Sequence, residues 1–413
     1  MALIRVDKLK EGMVVKKDVT APTGRFIMAS GATIESRHLK LLKSWGVIEV
    51  EVEGDDEPDR MPQIPPMSRS DLTTGVAYLD HLFSICGRGT PVLKELSRAA
   101  TIRVMNQIGQ KGISVIPDLR SVGDEGKGKM EDLSRVSISS IVGKQTRLFS
   151  FSDTYRQIVE VLQSPRSSAT HIAQVVEKDT SLSAKLLQIV NSAYYGFPSK
   201  IGSIQRAVTI LGGRELTTLA IGITAIRYFS KLSQDVLDME RFWRNSVACG
   251  VFARLLAGEK RLPSDNHFFL AGLLRDIGLL LLIGECPVAV ELVIRRSCRD
   301  KISLPICERE VFGFSHAFLG ASLLAEWKVP SYLVNIVKYK DNPLFSSEDL
   351  ESSILHVADC LSFATGYGWS PIMPIPAMDD EGWNRLDLSY NVLEPMCSRA
   401  ERQISEIVDV FLK

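Results

Sequence analysis

Residues 186–221, LLQIVNSAYYGFPSKIGSIQRAVTILGGRELTTLAI, predict three short helices joined by short loops. Within each helical segment the apolar residues recur at intervals of three and four, as they do on an amphipathic helix that packs against a core. The breaks fall at YYGFPSKIGS and at the glycine pair of LGG, because proline and glycine interrupt helical periodicity. This stretch therefore predicts a mainly α-helical domain rather than a sheet.

The helical pattern continues from about residue 138 to the end of the sequence. The segment DTYRQIVEVLQSP (153–165) begins with an aspartate suited to an N-cap and ends at a proline. Further helical segments follow at 239–258, 266–284, 286–299, 303–311, 315–326, 330–340, 351–365 and 389–412. A proline-rich loop at 370–382 interrupts the series. We predict a large helical bundle of ten or more helices over 138–413.

The residues before the bundle have a different pattern. In VIEVEVEG (47–54), valines alternate with glutamates, which is typical of a half-buried strand, and ESRHLKLLKSWG (35–46) has helical spacing. Residues 1–54 therefore predict a small α+β module. Residues 55–70 are acidic and then proline-rich, which indicates a linker. Residues 71–137 predict a helical arm with a polar linker after it, and the arm is either a spacer or a dimerising segment.

The composition limits the classes of partner. Lys and Arg together number 49, as do Asp and Glu, so the formal net charge is zero and no direct nucleic-acid binding is expected. The seven cysteines are scattered without a CxxC pair, so neither a disulfide framework nor a structural zinc is expected. The N-terminus lacks the apolar core of a signal peptide. The apolar run IGLLLLIG (277–284) is short of the ~20 residues that span a membrane, so we expect a cytoplasmic protein.

Residues 140–412 resemble the HDOD domain, a degenerate relative of the HD-domain phosphohydrolases. The resemblance rests on residues 186–221 and on the segments FWRNSVACG (242–250), FLAGLLRDIG (269–278), EREVFGFSHAFLGASLLAEWKVP (308–330) and ILHVAD (354–359). The N-terminal module is also similar to the small domain that precedes signalling HD domains in some bacterial proteins. The resemblance implies a bacterial regulatory protein that acts through contacts with a signalling partner.

The resemblance also locates the positions where catalytic HD relatives hold two metal ions. Three positions keep a residue of the ligand type: Asp276 of the former His-Asp doublet, His316 after the FG dipeptide, and Asp359 of HVAD. If any metal binds, these three residues are the expected ligands. The resemblance implies no catalytic residue and no cofactor.

The remaining positions of the HD site depart from the ligand pattern. Asn245 stands where the first histidine is expected, and Tyr339 and Lys340 occupy the neighbourhood of a further histidine. Arg275 replaces the histidine of the doublet, and a guanidinium has no lone pair for a metal. These replacements predict that a two-metal hydrolytic site is lost.

Two hypotheses describe the side chain of Arg275 equally well. In the first, it reaches a carboxylate on another helix, such as Asp359, and replaces part of the metal's charge; in the second, it is an ordinary solvent-exposed helix charge. Arg275 and Asp276 are adjacent, and adjacent residues of one helix do not face each other, so no contact between them is expected.

Three functions therefore remain open. The preferred one is a non-catalytic protein-interaction output or sensor module. The first alternative is a phosphohydrolase or phosphodiesterase with one residual metal. The second is a sensor that binds a nucleotide without turnover, with Arg275 and Lys340 suited to a phosphate. A homodimer is compatible with each of the three.

Overall fold

The computed structural model describes residues 2–6, 9–20, 26–44, 47, 49–52, 67–117, 137–149, 157, 160, 169–192, 195, 197, 199–229, 236–262 and 266–412. Most of the two predicted linkers and of the predicted helix DTYRQIVEVLQSP lies outside these residues. The protein is mainly α-helical with a small β component, which confirms the predicted fold class.

The chain forms two compact units. Unit 1 contains Met1–Asp80, Arg88–Ile116 and Asp387–Ser398, and unit 2 contains His81–Gly87, Pro117–Leu386 and Arg399–Lys413. The division into a module (1–54), a linker (55–70), an arm with a polar linker (71–137) and an HDOD domain (138–413) remains a prediction.

Unit 1 begins with the small α+β module. Strand β1 (Ala2–Arg5) pairs antiparallel with β4 (Glu49–Val52), β2 (Val19–Thr20) pairs antiparallel with β3 (Phe26–Met28), and helix α1 is Ser36–Ser44. Val50 and Val52 lie in the core of this module, as the alternating pattern predicts. Helices α2 (Arg69–Leu82) and α3 (Pro91–Lys111) follow in the predicted arm.

Unit 2 is built from helices over its described residues. The helices α4 to α11 are Ile138–Phe149, Ala169–Glu177, Thr180–Val190, Ile204–Leu211, Gly213–Phe229, Met239–Glu259, Asn266–Leu274 and Ile277–Glu285. The helices α12 to α18 are Pro287–Asp300, Leu304–Phe312, His316–Glu326, Ser331–Lys338, Asp349–Ser362, Asp380–Leu386 and Leu393–Leu412. The first residues of α18 belong to unit 1.

Side-chain caps fix several of these helix starts. Asp238 accepts a hydrogen bond from the backbone N–H of Arg241 at the start of α9, and Ser315 accepts one from Phe318 at the start of α14. These caps satisfy N–H groups that have no partner within the helix. They therefore help to set the first turns of two helices that carry residues of the candidate site.

A close contact between two glycines brings α9 against α10. A Cβ on Gly272 would lie 2.4 Å from the Cα of Gly250, so both positions need glycine for the helix backbones to approach this closely. Helix α9 also packs against α16. This arrangement places Asn245 of α9 and Asp359 of α16 next to the end of α10.

A second close contact joins α11 to α14. A Cβ on Gly278 would lie 2.0 Å from the backbone oxygen of His316 and 2.6 Å from the backbone nitrogen of Gly320. No side chain fits in that space. The first turn of α11 is therefore pressed against the first turn of α14, and this contact holds Asp276 and His316 close together.

The structure corrects two predicted elements. The segment 266–284, predicted as one helix, is divided at Arg275 and Asp276 into α10 and α11. The loop predicted at 370–382 contains the start of α17 at Asp380. The apolar pattern is unbroken on both sides of residue 275, so it gives no sign of the first break.

The stretch His267–Glu285 has the length and composition of a membrane-spanning helix, with a mean hydropathy of 1.7 over its most apolar window. In this protein, 89% of that window is buried inside the structure. A core helix of a large bundle passes the same test of length and composition. Over the described residues, this is the one stretch that passes it.

Candidate functional site

The centre of the site is the turn between α10 and α11. Helix α10 ends at Leu274 and α11 begins at Ile277, and Asp276 has a backbone conformation outside the helical range (φ −104°, ψ 14°). Because the helix is interrupted, both side chains leave the turn on the same side. Arg275 Nη2 lies 3.1 Å from Asp276 Oδ2, so the expectation that these neighbours would not meet is wrong.

The guanidinium of Arg275 is fully buried and joins three elements. Its Nε and Nη2 atoms both lie 2.8 Å from Asp359 Oδ1 on α16, which confirms the predicted contact between helices. Its Nη1 donates to the backbone oxygen of Gly272 (3.1 Å), and its Nη2 donates to Asn245 Oδ1. The side chain is 0% exposed, so the solvent-exposed alternative is wrong.

Asn245 connects Arg275 to the end of α16. Its Nδ2 donates to Ser362 Oγ (2.9 Å), and that hydroxyl donates to the backbone oxygen of Asp359 (2.7 Å). The side-chain oxygen of Asn245 therefore accepts a hydrogen bond from Arg275, and its side-chain nitrogen donates one to Ser362. It positions Arg275 against Asp359 and does not face the site as a ligand.

The ammonium group of Lys340 lies between the two carboxylates. Lys340 Nζ is 3.4 Å from Asp276 Oδ1 and 3.4 Å from Asp359 Oδ2. It donates a shorter hydrogen bond to Asp341 Oδ1, at 2.9 Å. The ammonium group of Lys340, a cation that belongs to the protein itself, thus occupies the space between Asp276 and Asp359.

His316 is held between two carboxylates. Its Nδ1 lies 2.7 Å from Glu308 Oε1, its backbone N–H donates to Glu308 Oε2 (2.9 Å), and its Nε2 lies 3.3 Å from Asp276 Oδ1. Burial disfavours the charged ring, but the negative charge of Glu308 and the hydrogen bonds to Asp276 and Glu308 raise the pKa of His316 to about 10. The ring is therefore an imidazolium at neutral pH, with both nitrogens protonated.

The ionisable groups of the cluster stabilise one another's charged forms. Burial opposes the charge on Asp276, but Arg275 and Lys340 outweigh it and hold the pKa of this carboxyl well below its usual range. Burial likewise opposes the charge on Lys340, and Asp341, Asp276 and Asp359 raise its pKa well above the usual value. Both groups are therefore charged at neutral pH.

The polar groups do not fit a divalent metal ion. Each oxygen of both carboxylates faces a cationic side chain: Arg275 lies against one oxygen of each, and Lys340 lies against the other. A protonated His316 has no lone pair to offer. Among the residues that the structure describes, no group of three or more His, Cys, Asp or Glu side chains is arranged to hold a metal.

A cavity of about 230 Å³ opens above this cluster within unit 2. The residues Asp276, His316, Lys340, Asp341 and Asp359 form its polar side. The remaining lining residues are Ile85, Ser303, Leu304, Pro305, Ile306, Arg309, Asn342, Phe363, Trp369, Met373, Pro374, Pro376 and Ala377. Arg275 does not line the cavity, because it lies beneath the carboxylates.

The structure brings together six of the seven predicted site residues. Tyr339 stands apart from the cluster: it is half-buried, and Lys338 Nζ lies 4.9 Å from the centre of its ring. Lys340 is the member of this pair that enters the site. Helix α15 ends at Lys338, and this turn directs Lys340 rather than Tyr339 towards the carboxylates.

Sequence reasoning missed three residues that hold the site. Glu308 orients His316, Asp341 pairs with Lys340, and His356 fixes the backbone of Lys340. The Nε2 of His356 accepts from the backbone N–H of Asp379 (2.9 Å), so its Nδ1 carries the proton and donates to the Lys340 oxygen (2.7 Å). Burial lowers the pKa of His356, in agreement with a neutral ring. Glu308 lies eight residues before His316 in the segment EREVFGFSH, but no spacing rule predicts a contact between these two side chains.

The described helices of unit 2 form a bundle around the turn at residues 275 and 276. Residues 148–343 match the family described as the HDOD domain. The chain therefore contains an HDOD domain, as the sequence motifs indicate.

Solved structures of other proteins share this fold. A provisionally named phosphohydrolase from Shewanella amazonensis SB2B is 21% identical, with a TM-score of 0.51 over 66% of this chain and 98% of that chain. A provisionally named signal transduction protein from Marinobacter aquaeolei VT8 is 17% identical, with a TM-score of 0.51 over 75% of this chain and 73% of that chain. Identities this low show a common fold and do not transfer an activity.

Curated relatives match a smaller part of the chain. An uncharacterized protein of Treponema pallidum is 24% identical over 205 residues, which are 49% of this chain and 39% of that protein. The uncharacterized protein YuxH of Bacillus subtilis is 25% identical over 128 residues, or 31% of each chain. The chain thus spans well under half the length of these two relatives.

Proposed function

We propose that this is a regulatory signalling protein whose HDOD domain is a non-catalytic interaction or sensor module. One observation carries the proposal: Arg275 and Lys340 together face all four carboxylate oxygens of Asp276 and Asp359. The fold class and the signal-transduction name of one structural neighbour agree with a signalling role.

The argument against hydrolysis is electrostatic. A metal-dependent phosphohydrolase needs a divalent cation that lowers the pKa of a bound water and holds phosphate oxygens. Here the guanidinium of Arg275 keeps its proton, and Lys340 is held in its charged form by the neighbouring carboxylates. An entering metal ion would have to displace both cations from buried ion pairs, which are costly to break.

The proposed partner is another protein in a bacterial signalling pathway, and the proposed location is the cytoplasm. The balanced charge supports a partner other than nucleic acid. A homodimer through the arm remains compatible with this proposal, because α2 and α3 present long helical surfaces. Partner and location are inferences from the family and the composition.

One observation favours a residual metal-dependent phosphohydrolase as the second candidate. The three residues of the ligand type do converge: His316 lies 3.3 Å from Asp276, and Lys340 bridges Asp276 and Asp359. A metal that displaced Lys340 would find these side chains close together. The phosphohydrolase name of the Shewanella neighbour describes that protein and gives this candidate its chemical class.

The geometry gives less support to a nucleotide held by Arg275. Its guanidinium lies beneath the cavity, and its nitrogens contact Asp359, Gly272 and Asn245. Lys340, the other cation of this alternative, does line the cavity, but the carboxylates of Asp276, Asp341 and Asp359 line it as well and would repel a phosphate.

The proposal is tested by turnover on the full chain. The protein, purified without chelator, is incubated with Mn²⁺ and a chromogenic phosphodiester, beside Asp276→Asn and the exposed control Asp300→Asn. We expect the same background rate in all three, together with a protein partner recovered by co-purification. Turnover in the wild type and in Asp300→Asn that is lost in Asp276→Asn would overturn the proposal in favour of the enzyme.

A further inference from the structure

Helix α13 carries an apolar and a cationic residue at the mouth of the cavity. Ile306 and Arg309 both line the cavity and are both exposed to solvent, and the exposed fraction of Ile306 is 42%. The two residues are three positions apart, so they lie on the same face of the helix. Ala377 of the proline-rich loop is a further exposed residue of the lining. The lining of the cavity thus continues onto a surface that a second molecule can reach.

The guanidinium of Arg309 is unpaired. Within the part of the chain that the structure describes, no side chain or backbone oxygen forms an ion pair or a hydrogen bond with it. The arginines of the preceding helix α12 differ, because each pairs with a carboxylate: Arg295 with Glu291, Arg296 with Glu310 and Arg299 with Asp300. An unpaired guanidinium beside a cavity is suited to a carboxylate of another molecule, which it can bind through two parallel hydrogen bonds.

The interior of the cavity is suited to an uncharged side chain. The carboxylates at its base are neutralised by the protein's own Arg275, Lys340 and His316, so they do not require a charged ligand. Phe363 and Trp369 form an apolar wall and pack edge to face, with ring centres 6.3 Å apart. A volume of about 230 Å³ holds about eight water-sized volumes of 30 Å³, which suits a single aromatic side chain.

Exposed apolar side chains lie next to the mouth. Asn342 lines the cavity, and the backbone N–H of Phe345 donates to the backbone oxygen of Asn342 (3.2 Å), so Leu344 and Phe345 follow it within one turn. Phe345 is 78% exposed, the largest exposed fraction among the large apolar side chains that the structure describes. An apolar surface beside a pocket is typical of a protein interface, in which one anchor side chain fills the pocket and its neighbours exclude water.

We infer that the mouth of this cavity binds an acidic segment of a partner protein that carries an aromatic anchor. The aromatic side chain enters the cavity and packs against Phe363 and Trp369, and a neighbouring carboxylate of the segment pairs with Arg309. The inference rests on the proposed function, because it names the surface and the chemistry by which the interaction module recognises its partner.

Selection of binders from a random-peptide library displayed on phage, with the full chain as the target, tests the inference. We expect the selected peptides to share an aromatic residue beside an aspartate or a glutamate. Selection against Arg309→Glu should replace the acidic residue by lysine or arginine, because the charge at the mouth is reversed. Arg299→Glu reverses an exposed charge outside the cavity, and this matched control should select the same peptides as the wild type.

A labelled peptide from the wild-type selection then measures the contact by fluorescence anisotropy. Arg309→Glu should weaken its binding about tenfold or more, because attraction between the two charges becomes repulsion. Ala377 is exposed and lines the cavity, so Ala377→Phe should also weaken the binding by filling the cavity, with an unchanged melting temperature. This second variant keeps the test decisive if Arg309→Glu folds poorly.

Three results would overturn the inference. The first is the absence of selected peptides, and the second is the same selected motif for the wild type and Arg309→Glu. The third is a dimer of the purified chain in sedimentation that is lost in Arg309→Glu, because a second copy would then occupy the mouth. Each of them leaves the proposed function standing, because that is decided by the turnover assay and not by these peptides.

Discussion

Replacing Arg275 by methionine should destabilise unit 2 strongly. The side chain is fully buried, and its removal leaves the carboxylates of Asp276 and Asp359 in the interior without their shared guanidinium. Breaking a buried ion pair from one side typically costs about 3–5 kcal/mol, and we expect Arg275→Met to fall in this range. Methionine fills most of the volume of the arginine side chain, so the loss of stability comes from the missing charge rather than from a cavity.

A double-mutant cycle separates this ion pair from its surroundings. Asp359→Asn alone leaves the guanidinium facing a neutral amide, whereas Arg275→Met combined with Asp359→Asn removes both charges. We expect the double variant to lose less than the sum of the two single losses, with a coupling energy of about 1–3 kcal/mol. The exposed pair Arg244–Glu240 is the control, because Arg244 is 45% exposed and Arg244→Met should cost no more than about 0.5 kcal/mol.

Urea unfolding followed by tryptophan fluorescence measures these changes. Four of the five tryptophans, Trp243, Trp327, Trp369 and Trp383, belong to unit 2, so most of the fluorescence signal reports the unit that contains the cluster. A loss below about 1 kcal/mol for Arg275→Met, or strictly additive single losses, would refute the claim that Arg275 neutralises the buried carboxylates.

Three further predictions concern neighbouring groups. The folded-state pKa of His316 is raised from 6.5 to about 10. Its contribution to stability is therefore present in full below pH 6.5 and is lost as the pH rises through 10. Urea unfolding at a series of pH values measures this loss of stability, which should be absent in His316→Gln. Gly278→Ala should lower the melting temperature by several degrees, since its Cβ would meet the backbone of α14, and an unchanged melting temperature would contradict the close contact. The ring of His356 should stay neutral at pH 6 with its proton on Nδ1, which nitrogen chemical shifts test directly. A protonated ring would contradict the hydrogen bond that its Nε2 accepts from the backbone N–H of Asp379.

The fold could be predicted from sequence because local patterns specify it. The segment 239–258 was predicted as a helix and is observed as Met239–Glu259, with Asp238 as its cap. Val50 and Val52 were predicted to face a core and do so. Such patterns depend on periodicity and capping, which are properties of neighbouring residues in the chain.

The site could be predicted only in part. Arg275 and Asp359 could be paired in advance because their charges are opposite and the motif places both at one site. The break in the helix at Arg275 and Asp276 could not be predicted from the sequence. It is set by the glycine contacts of α10 with α9 and of α11 with α14 rather than by local propensity. Burial of Asp341 and Glu308 depends in the same way on tertiary packing, so two carboxylates that hold the cations resembled ordinary surface charges.

The central claim is that two protein cations fill the place of a metal between Asp276 and Asp359. Calorimetric titration of the full chain with Mn²⁺ tests it most directly, with Asp276→Asn measured in parallel. The account predicts no saturable binding in either protein. Saturable binding of about one equivalent by the wild type, lost in Asp276→Asn, would contradict it, because the metal would then have displaced Lys340 from the two carboxylates.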